Sequence, residues 1–161
     1  MTKVLVFGTF DGIHDGHRAM LREAKSLTLR HPEAEGSPVG NYLVAAVAPD
    51  SVVKALKGGM QLHTAAQRIG LLKGEHLADE IILADEETHS WKILKKVKPQ
   101  IVALGYDQDD LRTNLEEYLE KSFPDVETEE GWQSNPKKPK IVVLSAHEPE
   151  KYHNRIMNKE L

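Results

Sequence analysis

Val4-Leu5-Val6-Phe7-Gly8-Thr9-Phe10-Asp11-Gly12-Ile13-His14-Asp15-Gly16-His17 decides how this chain folds. Its first four residues form a β-branched and aromatic run that suits a strand buried on both faces. Beyond it, Met20, Leu21, Ala24 and Leu27 recur at helical spacing, so the glycine-rich segment between is a strand-to-helix connection. Such a connection places unpaired backbone N–H groups and the positive end of a helix dipole where a phosphate can sit. Gly8, Gly12 and Gly16 allow a ligand to approach the backbone closely. His14 and His17, three residues apart, add donors to one face of the first helical turn. Two plainer readings compete. A zinc half-site needs further ligands, and the chain has no cysteine and no evident third ligand nearby. A purely structural turn would need neither imidazole.

Composition bounds the rest. With 161 residues, 40% hydrophobic and 29% charged, the chain is expected to form one domain, residues 1–161, with a real core. A net charge of −4 and dispersed lysines give no general attraction to nucleic acid, so an anion site must be local. The absence of cysteine excludes disulfides and thiolate metal sites. No apolar run approaches the ~20 residues of a membrane span, and no signal-like leader precedes the first strand. The expected setting is therefore the cytoplasm, away from the membrane.

Outward from the opening stretch, strands and helices alternate. The first helix is expected to run from near Gly16 to about Leu29, before a surface loop from His31 to Asn41. A buried strand, Tyr42 to Ala48, leads into a short helix from Asp50 that runs out at Gly58-Gly59. Thr64 caps the next helix, which carries Ala65, Ala66, Ile69 and Leu72 on its apolar face. Glu80 to Leu83 is a third strand, Ser90 to Val97 a helix, and Ile101 to Leu104 a fourth strand ending in Gly105-Tyr106-Asp107-Gln108. An amphipathic helix from about Asp110 to Ser122 follows, with Leu111, Leu115, Tyr118 and Leu119 on one face. Acidic 125–130 and the lysines around Pro136 and Pro139 read as a solvated loop, and Ile141 to Leu144 is the last strand. This alternation predicts an α/β fold: a single doubly wound, Rossmann-like parallel sheet covered by helices on both faces, with ligands beyond the C-terminal strand ends.

At Gly8-Thr9-Phe10-Asp11 and His14-Asp15-Gly16-His17 the chain resembles the cytidylyltransferase-like family of nucleotidyltransferases, whose signature is Gly-Thr-Phe-Asp followed by His-x-Gly-His. The resemblance implies transfer of a nucleoside monophosphate from a nucleoside triphosphate to a phosphate acceptor, with release of pyrophosphate. Gly8, Thr9, Phe10, Asp11 and Gly16 would then contact the nucleotide, and His14 and His17 would stabilise the transferring charge. Mg²⁺ is implied with the triphosphate, and Asp11 is a candidate either for that metal or for orienting the histidine loop. A lysine after the second strand reaches the triphosphate in the family; Lys57 is the better candidate here and Lys54 the reserve. Arg68, in Gln67-Arg68-Ile69, takes the slot of a family arginine, although an arginine there equally suits a structural salt bridge. Relatives are often dimers, which makes a homodimer a further expectation.

Ile101 to Gln108 is similar to the corresponding segment of archaeal-type FAD synthetases, which move adenylate from ATP to FMN. Gly105, Tyr106, Asp107 and Gln108 are accordingly nucleotide-binding candidates, with ATP favoured over CTP. The alternatives are a CTP-dependent cytidylyltransferase acting on a small phosphorylated alcohol such as glycerol 3-phosphate, and a nucleotide-binding protein without transfer. One departure stands out. Where such relatives carry two serines near the last helix, this chain has Asn154 and Arg155 within Tyr152-His153-Asn154-Arg155-Ile156. Both can donate hydrogen bonds and Arg155 carries a permanent charge, so the site is either rebuilt for polyphosphate or degenerate.

Overall fold

The computed structural model describes residues 2–11, 13–27, 41–57, 63–87, 90–106 and 108–145. In chain order the elements are β1 (Thr2–Gly8), α1 (Asp15–Lys25), β2 (Asn41–Val47), α2 (Asp50–Lys57), α3 (Ala65–Glu75), β3 (Glu80–Leu83), α4 (Lys92–Val97), β4 (Ile101–Leu104), α5 (Asp109–Ser122), β5 (Val126–Thr128), β6 (Gly131–Gln133) and β7 (Lys140–Val143). Five of the strands form one sheet in the order β3-β2-β1-β4-β7, and every neighbouring pair in it is parallel. The expected doubly wound sheet is therefore present.

The strand pleat explains how both faces are covered. Val4 stands in register with Leu43 and Ile101, and all three pack in a core with Leu21 and Ala24 of α1 and Leu72 of α3. One residue on, Leu5 aligns with Val44 and Val102 and points the other way, into a core with Leu94 and Val97 of α4 and Leu115 and Leu119 of α5. Buried on both faces, these strands are continuous apolar runs without alternation. The chain winds outward from β1 through β2 to β3, then returns to the opposite side of β1 through β4 and β7. The reversal lies between β1 and β4, where a doubly wound sheet opens a crevice at its C-terminal edge.

Four features differ from expectation. The first helix stops at Lys25, with Ser26 as its cap; the segment expected to continue it lies beyond Leu27, outside the described residues, and Asn41, expected in a loop, opens β2. The helix expected from Ser90 begins at Lys92, because Trp91 adopts a left-handed conformation (φ 58°) and Asp85 caps the helix by accepting the Ile93 N–H at 3.0 Å. Residues 125–140 were expected to be a loop but contain a hairpin of β5 and β6, antiparallel from Val126↔Gln133 to Thr128↔Gly131. Two strands of three residues each are too short to show an alternating pattern. Among the described residues no helix is long and apolar enough to cross a membrane.

Leu5 is fully buried, whereas Trp132 on β6 is 70% exposed. Leu5→Ala should destabilise the fold by about 2–5 kcal/mol, and Trp132→Ser by no more than about 0.5 kcal/mol. Urea unfolding of both variants measures the contrast.

Candidate active site

The connection after β1 is held by its own side chains. His14 is the N-cap of α1, in extended backbone (φ −134°), and its Nδ1 accepts the N–H of Gly16 at 3.0 Å and of His17 at 3.4 Å. His17 reciprocates: its Nδ1 accepts the His14 N–H at 3.3 Å. The two rings stack with centroids 4.0 Å apart. This is a capping box built from imidazoles in place of the usual hydroxyl and carboxamide. Because each Nδ1 is an acceptor, each neutral ring carries its hydrogen on Nε2.

Phe10 supports the turn from beneath. It is buried with a left-handed φ of 52°, and its ring lies so close under Gly8 that a β-carbon there would come within 2.9 Å of it. Gly8 is thus required for close packing. The Asp11 side chain is buried, and His63 Nδ1 stands 2.9 Å from its Oδ1. Arg68, wholly buried, donates from its two terminal nitrogens to the Thr9 carbonyl at 2.7 Å and to Asp50 Oδ1 at 3.2 Å, and from Nε to the His63 carbonyl at 3.3 Å. Asp50 also accepts the Ala65 N–H at 2.7 Å. The guanidinium therefore grips the turn through its backbone.

At the reversal point, Gln108 joins the ends of β1 and β4. Its Oε1 accepts the Gly105 N–H at 2.7 Å and its Nε2 donates to the Phe7 carbonyl at 3.3 Å. Two clefts meet there and share Phe7, Gly8, Thr9 and Gln108. The smaller, of about 290 Å³, is lined by His14, Gly16, His17, Gly105, Tyr106 and Ser145. The larger, of about 690 Å³, has an apolar floor that includes Ala46, Pro49, Val52, Trp91, Ile93 and Leu111, with Asp85, Glu87, Asp109 and Asp110 among its lining residues. Trp91, only 4% exposed, is fixed by donation from Nε1 to Asn114 Oδ1 at 2.8 Å and by an edge contact with Phe7 at 5.7 Å.

The structure thus gathers Gly8, Thr9, Phe10, His14, Gly16, His17, Gly105, Tyr106 and Gln108 around one crevice. Lys57 closes α2, but its side chain is outside the described residues, and Lys54 is exposed. Asp107, Asn154 and Arg155 also lie outside them. No cluster of three metal-ligating side chains occurs among the described residues, and the Asp11 carboxylate is buried against His63. His63, Asp50 and Trp91 were not singled out for any role by the sequence. A histidine immediately before a threonine cap carries no motif, and only the fold brings it to Asp11.

A phosphate turn and helix N-terminus at the reversal point of a doubly wound sheet define a nucleotide-binding α/β protein. The cytidylyltransferase-like family model matches residues 5–156, and the chain belongs to that family. It is a nucleotidyltransferase. It is similar to the FAD synthase of Ferroglobus placidus, 39% identical over 121 residues that span 75% of this chain and 70% of the relative. The FAD synthase of Thermococcus sibiricus is 33% identical over 74% of this chain and 72% of its own length. Among solved structures, the lipopolysaccharide core biosynthesis protein from Thermoplasma volcanium superposes with a TM-score of 0.69 at 28% identity, covering 92% of this chain and 99% of that one. A pantoate-beta-alanine ligase from Francisella tularensis shares the fold alone, at a TM-score of 0.52 and 12% identity over 89% of this chain and 58% of its own.

The reciprocal cap yields a direct test. His14→Ala should lose about 0.5–2 kcal/mol, while His14→Asn, whose carboxamide oxygen can also cap, should recover most of it. Denaturant midpoints for the three proteins provide the measurement.

Proposed function

We propose that this nucleotidyltransferase is an FAD synthetase that moves adenylate from ATP to FMN, acting as one domain over residues 1–161. The observation that carries the reading is the meeting of two chemically opposed clefts at Gly8 and Thr9. The smaller one has imidazoles and a helix N-terminus, which suit polyphosphate. The larger one has an apolar floor and carboxylates, which suit the uncharged ring system of an acceptor whose hydroxyl and imide groups can donate, and which disfavour a triphosphate. The similarity to archaeal FAD synthases supports the choice of nucleotide and acceptor.

In this reading an FMN phosphate oxygen attacks the α-phosphorus of ATP, the bond from that phosphorus to the bridging oxygen breaks, and pyrophosphate leaves. The attacking phosphate is already an anion and needs no general base, so positioning and charge stabilisation carry the reaction. His14 and His17 donate from Nε2 to phosphoryl oxygens. The first turn of α1 adds its dipole, and Lys57 adds a point charge. Gly105, Tyr106, Asp107 and Gln108 hold the nucleoside, and Arg68 acts from behind by fixing Thr9. Asp11 is assigned to holding the turn, so a divalent cation, Mg²⁺, would arrive with the triphosphate, whose oxygens and water supply most ligands to such a hard ion. A cytoplasmic setting, a homodimer and the absence of any nucleic-acid partner complete the reading.

Purified protein with ATP, FMN and Mg²⁺ should release pyrophosphate and FAD in equal amounts. Turnover of CTP with glycerol 3-phosphate in place of ATP with FMN would overturn the assignment, and nucleotide binding without any pyrophosphate release would reduce the protein to a binder. His17→Ala should lower turnover by about 10²-fold, the scale for losing a preorganised donor.

Asn154 and Arg155 are assigned to the β- and γ-phosphates as a rebuilt form of the missing serine pair. Arg155→Ala should weaken ATP binding by about 10- to 100-fold, corresponding to one charge-assisted hydrogen bond. Calorimetric titration with ATP, and with AMP as the control that cannot reach Arg155, checks this.

A further inference from the structure

We propose that His63 is a positioning residue: it latches the phosphate turn to the start of α3 in the register that adenylate transfer needs. The inference rests on the functional reading above. Between Gly8 and His14 the chain leaves β1 and has not yet entered α1. This stretch contains Phe10 at a φ of 52°, a conformation that costs a bulky residue energy and persists only when its surroundings hold it. Besides burial of Phe10 in the core, two polar contacts from the approach to α3 and its first turn hold it. Arg68 donates to the Thr9 carbonyl at 2.7 Å. His63 Nδ1 lies 2.9 Å from Oδ1 of Asp11, whose side chain is 1% exposed.

The chemistry of that second contact is defined. An ionised carboxylate only accepts, so His63 must donate from Nδ1–H. Its tautomer is therefore the opposite of the one carried by neutral His14 and His17. The His63 backbone is itself anchored, since its carbonyl accepts from Arg68 Nε at 3.3 Å. The next residue, Thr64, caps α3 reciprocally with Gln67, at 3.2 Å and 2.9 Å. A capped helix end is a rigid mount, and His63 transmits its position to Asp11, which stands three residues before His14. The His63 side chain is 35% exposed, so packing alone does not account for it.

The test uses His63→Ala, which removes the donor, and His63→Asn, whose amide nitrogen takes the place of Nδ1. In His63→Ala, hydrogen exchange at Thr9, Phe10, Asp11 and Ile13 should accelerate by about tenfold or more, with β1 and the body of α3 unchanged, as expected for release of one local segment. Turnover should fall about 10²-fold, the scale of a small misplacement of reacting groups, with KM for FMN unaltered. His63→Asn should stay within about threefold of wild type in both readouts. Wild-type exchange and turnover in His63→Ala would overturn the proposal, and so would an asparagine variant as impaired as alanine. Absence of FAD formation by the wild-type protein would instead defeat the functional reading, leaving the exchange rates to decide the latch.

Discussion

A fully buried guanidinium holds the working parts of this molecule together. Burying a charged side chain is tolerable only when it is paired and its donors are satisfied, and Arg68 meets that condition with the Thr9 and His63 carbonyls and the Asp50 carboxylate. Those partners belong to three different parts of the chain: the turn after β1, the approach to α3 and the first residue of α2. The arginine can therefore be satisfied only if all three are in place, which makes the phosphate turn a consequence of tertiary packing. The planar fork of Arg is suited to such simultaneous contacts, and a lysine would supply neither the geometry nor the number of donors.

With the turn fixed, the sheet supplies the division of labour. Reversal of strand order at β1 and β4 opens a crevice, and Gln108 bridges its two sides through Gly105 and Phe7. What lies to either side differs in charge. Toward α1 are imidazoles and helix amides, whereas toward α4 and α5 are an apolar floor and carboxylates. In the proposed reaction such a division would favour one orientation of the two substrates before any specific contact forms, because carboxylates repel a triphosphate and a helix N-terminus attracts it. Trp91, strained at a φ of 58° and tied to Asn114, gives the larger cleft a fixed wall.

Much of this was legible in the sequence because it depends on local pattern. Double burial writes the strands as apolar runs, and the run from Val4 to His17 contains strand, turn and helix start in succession. What could not be read depends on residues far apart in the chain. The Asp11–His63 pair is separated by 52 positions and the Arg68–Thr9 contact by 59, and neither has a periodicity that announces it. Arg68 illustrates the limit well: its residue type suits phosphate and salt bridge alike, and only complete burial shows that it grips the turn from within. The hairpin of β5 and β6 was missed for a different reason. Its strands are only three residues each, and Glu127, Glu129 and Glu130 run through them and their turn, so the side-chain pattern reads as solvated loop while the backbone still pairs.

The two histidines of the turn unite folding and chemistry in one hydrogen-bond pattern. An imidazole that accepts at Nδ1 to cap a helix must, while neutral, carry its hydrogen on Nε2, so the cap selects the tautomer able to donate to a phosphate oxygen. A carboxylate cap would satisfy the same amides without presenting any donor. The stacked pair, with centroids 4.0 Å apart, thus ties helix initiation to donor geometry. The reciprocal arrangement also means that displacing one ring removes a cap contact from the other. Loss of donor geometry and fraying of α1 are consequently two aspects of a single event.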